Sequence, residues 1–211
     1  MKYIPTLSID ALTPYFDFLS NLFGFGDALK QRVLNLAAIK DGEHILDVGA
    51  GTGSLAILAK KQHLHAEVVG IEPDDQALNI AMRKVETSGV QLSLIQAGAE
   101  CLPFRPASFD VVVSTLVFHH LPTEIKKQAL KEIYRVLQDN GSFLLADFGE
   151  SRGLFLGVLA GIVKMTRLPE SKTAQDNLDG NIPMFMREAG FSIQEVATKF
   201  RGVQFLRATK R

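Results

Sequence analysis

A chain of 211 residues, 46% of them apolar, has room for one large domain with a full core. Its 23 basic and 23 acidic residues cancel, so no overall charge speaks for nucleic acid or an anionic membrane as a partner. The one cysteine, Cys101, excludes an internal disulfide and a cysteine zinc site, and points to a reducing, cytoplasmic setting.

The opening MKYIPTLSID has no basic stretch followed by an apolar one, so no signal peptide is expected. Thr13 and Pro14 fit the start of a helix over Pro14–Leu22, rich in Tyr15, Phe16 and Phe18. Gly24-Phe25-Gly26 breaks it. Asp27 is placed to cap a second helix, Ala28–Ala38, with Leu29, Val33, Leu36 and Ala37 on one face. Residues 1–40 are therefore expected to form a helical lid over a crevice or to pack on a sheet edge.

Next comes the stretch His44–Gly53, HILDVGAGTG. It reads as a short buried strand running into the turn Gly49-Ala50-Gly51-Thr52-Gly53, with a helix opening at Ser54. Strand, glycine turn and helix make the first unit of a nucleotide-type α/β fold. The dinucleotide fingerprint G-x-G-x-x-G is nearly met, but Ser54 stands where its third glycine belongs. Asp47, two residues before the first glycine, would repel a pyrophosphate and favour a cation. A plain tight corner is the alternative reading of the glycines alone.

Glu67–Ile71 is a second apolar strand, ending in Glu72-Pro73-Asp74, with Glu72 19 residues after Gly53. That is where a nucleotide-binding sheet places an acid toward ribose hydroxyls. A helix, Asp75–Thr87, stops at Ser88-Gly89, and Val90–Ile95 is a third strand. The loop Ala97-Gly98-Ala99-Glu100-Cys101-Leu102-Pro103-Phe104 follows. Val111–Ser114 is all apolar before its serine, which suits a strand covered on both faces. After it come Thr115-Leu116-Val117-Phe118-His119-His120-Leu121-Pro122. Thr123 is placed to cap a helix running to Leu137, Asp139-Asn140-Gly141 is a turn, and Ser142–Phe148 is a fifth strand holding Asp147. Gly153–Thr166 is apolar almost all round, yet its longest apolar run, Leu154–Val163, is too short to span a bilayer. Ile182–Ala189 reads as a helix stopped by Gly190, and Phe191–Thr198 and Val203–Thr209 as a terminal hairpin. The fold expected is one α/β domain, Rossmann-like, with a seven-stranded mostly parallel sheet, helices on both faces and an antiparallel C-terminal hairpin.

These motifs, in this order from Asp41 to Phe148, resemble the class I S-adenosylmethionine (SAM)-dependent methyltransferases, in their quinone- and lipid-methylating branch. The first motif of that family looks like Asp47-x-Gly49-x-Gly51-x-Gly53. The resemblance implies SAM as cofactor and methyl transfer to a small, hydrophobic or aromatic acceptor. It assigns Asp47, Gly49, Gly51, Thr52 and Gly53 to the methionine part, Glu72 and Pro73 to the ribose, and Gly98, Ala99 and Glu100 to the adenine. Ser114 and Thr115 would line the transfer site, and Tyr15 is loosely placed like a tyrosine of the quinone-type members. The family's adenine-binding aspartate falls on Gly98, which has no side chain, so water, Glu100 or a backbone carbonyl must replace it. His119 or His120 is a candidate general base and Asp147 a candidate substrate contact, each with a structural alternative. Residues 149–180 are expected to shape the acceptor site. A non-catalytic SAM-binding protein and an NAD(P)-dependent oxidoreductase stand as alternatives. No metal is implied, peripheral membrane contact is left open, and the sequence is silent on oligomeric state.

Overall fold

The computed structural model describes residues 26–149, 173–195 and 200–210. The elements in chain order are α1 (Asp27–Ala37), β1 (His44–Val48), α2 (Ser54–Gln62), β2 (Glu67–Ile71), α3 (Asp75–Ser88) and β3 (Ser93–Ile95). Then come β4 (Phe109–Thr115), a 3-10 turn (Phe118–His120), α4 (Thr123–Val136), β5 (Leu137–Phe148), α5 (Gln175–Leu178), α6 (Ile182–Glu188), β6 (Phe191–Glu195) and β7 (Val203–Lys210).

The seven strands form one sheet in the order β3-β2-β1-β4-β5-β7-β6. Pairings among β1 to β5 are parallel, and β7 runs antiparallel to both β5 and β6. Order reverses between β1 and β4. A crevice opens at the carboxyl ends of the strands at such a switch point, because the connections there leave in opposite directions.

Alternation along each strand sends side chains to two cores. Leu46, Val48, Val112, Phe143 and Leu145 meet α4 and α6 through Leu130, Ile133, Phe185 and Met186. Ile45, Val68, Val111, Val113 and Leu144 meet α1 and α2 through Leu29, Val33, Leu55 and Ala59. Covering on both faces explains why these strands read as unbroken apolar runs. Of the expected lid over 1–40 only residues from 26 on are described, and there α1 lies on the sheet face. The helix expected at Pro14–Leu22, Tyr15 and the apolar stretch Gly153–Thr166 lie outside the described residues.

Four boundaries differ from expectation, each for its own physical reason. Asp27 begins α1 instead of capping it, and its carboxylate pairs with Lys30 Nζ at 3.3 Å. β3 is shorter because this edge strand pairs with β2 only from Val69↔Ser93 onward. The expected turn Asp139–Gly141 is absorbed into β5 as a bulge: Phe109 pairs with Leu137, but Val111 already pairs with Ser142. A Cβ on Gly141 would come within 2.8 Å of the Asp110 carbonyl, so the bulge needs glycine there. Thr123 starts α4 without capping it; its hydroxyl donates to Asp176 Oδ2 at 2.6 Å. By contrast Asp74 caps α3 as a carboxylate should, accepting from Ala77 N at 2.8 Å.

Asp176 also receives the fully buried ammonium of Lys126, 3.1 Å away, and Lys126 donates to the Thr173 carbonyl as well. This cluster ties the segment before α6 to the start of α4. Asp176→Ala should cost about 3 kcal/mol in urea denaturation, because it strands a buried cation. Adding Lys126→Met should recover most of that loss, since it removes the stranded charge.

Candidate active site

The site is built at the carboxyl ends of β1 and β2. Their register sets Asp47 beside Gly70, on the sheet face that also carries Ile45 and Val68. Glu72 follows two residues after Gly70, so both carboxylates end up on that face. Asp47 is 2% exposed, and its Oδ2 is buried without a hydrogen-bond partner. Burial, and then the nearby charge of Glu72, push its carboxyl up to about 7. Glu72 is buried but engaged: one oxygen accepts from Gly51 N at 2.9 Å and the other from Asp74 N at 3.0 Å.

The glycine turn has reasons for two of its glycines. Gly49, at φ +77°, donates to the Ile71 carbonyl, and a Cβ on it would lie 2.4 Å from a Val117 methyl. Gly51, at φ +54°, has nothing within 4 Å of where a Cβ would project, so its bare Cα faces open space. Gly53 leads into α2. The Thr52 hydroxyl lies 3.2 Å from Lys84 Nζ, which also bonds Ser54.

At the tip of β3 the chain turns through Gly98-Ala99-Glu100, with Ala99 buried and Glu100 exposed. The Pro73 carbonyl accepts from Gln96 Nε2 at 3.4 Å, which holds the β2 tip to the same loop. Beyond it α4 takes over. Glu132 accepts from Leu102 N at 2.9 Å, and Arg135 donates to the carbonyls of Leu102 (3.0 Å) and Phe104 (2.7 Å). Glu132 and Arg135 are themselves paired at 2.6 Å. Sequence reasoning passed over this clamp, although Glu132 and Arg135 stand three apart in EIYR, the spacing of one helix face.

On the other side of the switch point, Ser114 is buried and its hydroxyl donates to the Val48 carbonyl at 3.0 Å, closing β4 against β1. The hydroxyl of Thr115 is buried without a partner. Leu116 then adopts φ +57°, a left-handed conformation costing a non-glycine residue about 1–2 kcal/mol. That bend swings the 3-10 turn over the end of β5. There the buried Asp147 collects Phe118 N at 2.6 Å, Phe148 N at 2.7 Å and the Nδ1 of His119 at 2.8 Å. Burial alone would raise the Asp147 carboxyl, but the His119 imidazole and the Phe148 amide outweigh it and hold it below the usual range. Because an ionised carboxylate only accepts, the Nδ1 of His119 is the protonated nitrogen that faces it. His120 stacks on His119, ring centroids 3.9 Å apart. Burial, then the neighbouring His119, lower the His120 pKa to about 3, against a smaller opposing pull from Asp147. Neutral and weakly basic, His120 is a poor proton acceptor, which leaves His119 as the candidate base of this site.

The structure thus gathers Asp47, Gly49, Gly51, Gly53, Glu72, Pro73, Ser114, Thr115, His119, His120 and Asp147 around one switch point, with Gly98, Ala99 and Glu100 at its β3 flank. Among the described residues no cluster suited to a metal ion is present. A buried carboxylate oxygen without a partner, beside an open glycine turn, suits a ligand group that brings positive charge.

The raised Asp47 pKa has a stability consequence. An unfolded aspartate releases its proton near pH 4, whereas the folded one holds it to about 7. Between those values the folded state binds more protons, so stability falls as pH rises and levels off above 7. Asp47→Asn should abolish that slope and stabilise the empty protein by roughly 2–4 kcal/mol at pH 8, several degrees in Tm, with little effect at pH 4. Thermal melts across this range measure it.

Comparison with known proteins agrees with this geometry. Residues 45–141 match the family model described as a methyltransferase domain. A demethylmenaquinone methyltransferase from Thermus thermophilus is 37% identical over 139 residues, covering 65% of this chain and 62% of that protein. The ubiquinone/menaquinone biosynthesis C-methyltransferase UbiE of Geotalea uraniireducens is 31% identical over 148 residues, 68% of this chain and 62% of that one. The chain therefore spans a little over three fifths of the length of these curated relatives. Among solved structures, a SAM-dependent methyltransferase from Aquifex aeolicus superposes with a TM-score of 0.75 at 18% identity, covering 95% of this chain and 97% of that one. The [4+2]-cyclase SpnF reaches 0.74, also at 18% identity, over 100% of this chain and 99% of that one. Sequence match, strand order and the antiparallel β5-β7-β6 ending agree: residues 45–141 are similar to a methyltransferase domain, and the sheet shares the Rossmann-like fold of these solved structures.

Proposed function

We propose that this chain binds SAM and transfers its methyl group to a small, hydrophobic or aromatic acceptor of the quinone kind named for its relatives. The buried acid pair Asp47 and Glu72, at the ends of β1 and β2 beside the open turn at Gly51, carries this reading. A pyrophosphate there would meet repulsion, whereas a cationic amino-acid moiety gains from it. The fold by itself decides less, since SpnF shares it and is named a cyclase.

Asp47 and the turn Gly49–Gly53 would hold the methionine part. Glu72 would take ribose hydroxyls on the lone pairs left by its two backbone bonds, with Pro73 beside it. The Gly98–Glu100 loop would hold the adenine. Ser114 and Thr115 would line the transfer site, with Tyr15 and residues 149–180 assigned to it from sequence alone. Bound there, SAM would supply an electrophilic methyl group on a sulfonium, its carbon open to attack by a nucleophile with S-adenosylhomocysteine as the leaving group.

The protein's part in such a displacement is alignment and proton handling. For a hydroquinone-type ring, Nε2 of His119 would take the phenolic proton, which raises electron density at the ring carbon to be methylated. Asp147 holds that imidazole in the needed tautomer and would stabilise its protonated form. His120, kept neutral, adds no competing charge. The lone Cys101 supports a cytoplasmic setting, and no described helix is long and apolar enough to cross a membrane.

Calorimetry with SAM, S-adenosylhomocysteine and NADH, followed by transfer of labelled methyl to reduced demethylmenaquinone, tests the reading. SAM should bind and NADH should not. His119→Ala should lower kcat by about 100-fold or more while leaving the SAM Kd within a factor of about two. Binding of NADH alone would overturn the proposal. SAM binding without transfer to any aromatic acceptor would make the protein a binder and not an enzyme.

A further inference from the structure

The strand order β3-β2-β1 sets three loop tips in a row: the glycine turn, then Glu72, then Gly98–Glu100. A nucleoside whose ribose lies at Glu72, with its charged substituent toward the glycine turn, directs its base to the third tip. That tip has an unusual arrangement. Gly98 has no side chain, and the position its Cβ would take lies 2.5 and 2.7 Å from the two carboxylate oxygens of Glu100, with the carboxyl carbon at 2.8 Å. An aspartate's own carboxylate oxygens lie two bonds from its Cβ, in this same range. The Glu100 side chain has therefore folded back over the bare Cα of residue 98 and set its charge where a side chain from 98 would carry one. The lack of a Cβ makes room for it.

The loop under it is firmly held. Cys101 N–H closes the turn onto the Gly98 carbonyl at 3.4 Å, Ala99 is buried, and Glu132 and Arg135 fix the following residues. Glu100 itself is exposed, so it serves no core. A carboxylate offers only acceptors, and the backbone N–H of Ala99 next to it offers a donor. Acceptor beside donor complements the 6-amino group and N1 of adenine, and mismatches the reversed pattern of a 6-oxopurine.

We propose that Glu100 is the adenine-selecting residue of the cofactor site, reaching the 6-amino group from two positions along the chain because Gly98 leaves the space. This rests on the SAM reading above. The carboxylate has moved from residue 98 to residue 100 without changing its place in the site.

The test measures Kd for S-adenosylhomocysteine and for its deaminated analogue S-inosylhomocysteine by calorimetry. Glu100→Gln should weaken S-adenosylhomocysteine about tenfold and leave the inosine analogue within twofold, narrowing the preference for adenine. Gly98→Asp combined with Glu100→Ala should restore the wild-type Kd to within about twofold. If Glu100→Gln binds S-adenosylhomocysteine as wild type does while Asp47→Asn loses it, the Glu100 assignment fails and the cofactor reading survives. If wild type binds neither compound, the cofactor reading itself fails and takes this one with it.

Discussion

The constraint behind this site is the supply of backbone N–H groups at the carboxyl ends of parallel strands, where the ladder stops and no neighbour answers them. A buried amide without a partner is costly, and so is a buried carboxylate. Here each solves the other's problem. Glu72 takes the N–H of Gly51 from one connection and of Asp74 from another, so one side chain sets the glycine turn against the start of α3. Asp147 does the same for the 3-10 turn and the exit of β5, and Glu132 for the loop after β3. Asp47 is the exception. It is as buried as Glu72 and Asp147, yet one of its oxygens has nothing to accept from. Three acids answer backbone N–H groups here, and the fourth keeps one oxygen unanswered.

The architecture was legible because its signals are local. Glycines at 49, 51 and 53, an acid at 72 and a helix stop at Gly89 can each be recognised from a few residues of sequence. The seven strands followed from apolar runs whose length matched a sheet covered on both faces. The misplaced features depend on residues far apart in sequence. Thr123 looks like a cap until Asp176 arrives from 53 positions away to take its hydroxyl. The turn at Asp139–Gly141 looks like a strand break until the Asp110 carbonyl packs on Gly141 and keeps the residues in the ladder as a bulge.

The same distinction holds within the site. Residue types and order around Asp47, Glu72 and His119 could be read directly, but what each side chain touches could not. Thr52 and Ser114 sit in the right stretch with hydroxyls turned to structural partners. His119 and His120 are adjacent and alike on paper. Only the position of Asp147 and the depth of burial separate them, fixing one imidazole by its Nδ1 and holding the other neutral.

The contact between Gly49 and Val117 joins the two halves of the crevice mechanically. With a Cβ position only 2.4 Å from a valine methyl, the turn after β1 and the loop after β4 have no slack between them. The first carries the cofactor-side glycines and the second leads within two residues to His119. A change of shape on one side is therefore transmitted to the other, and neither can be remodelled independently. Remodelling the turn after β1 or the loop after β4 has to respect this joint, so the two sides of the switch point move as one unit.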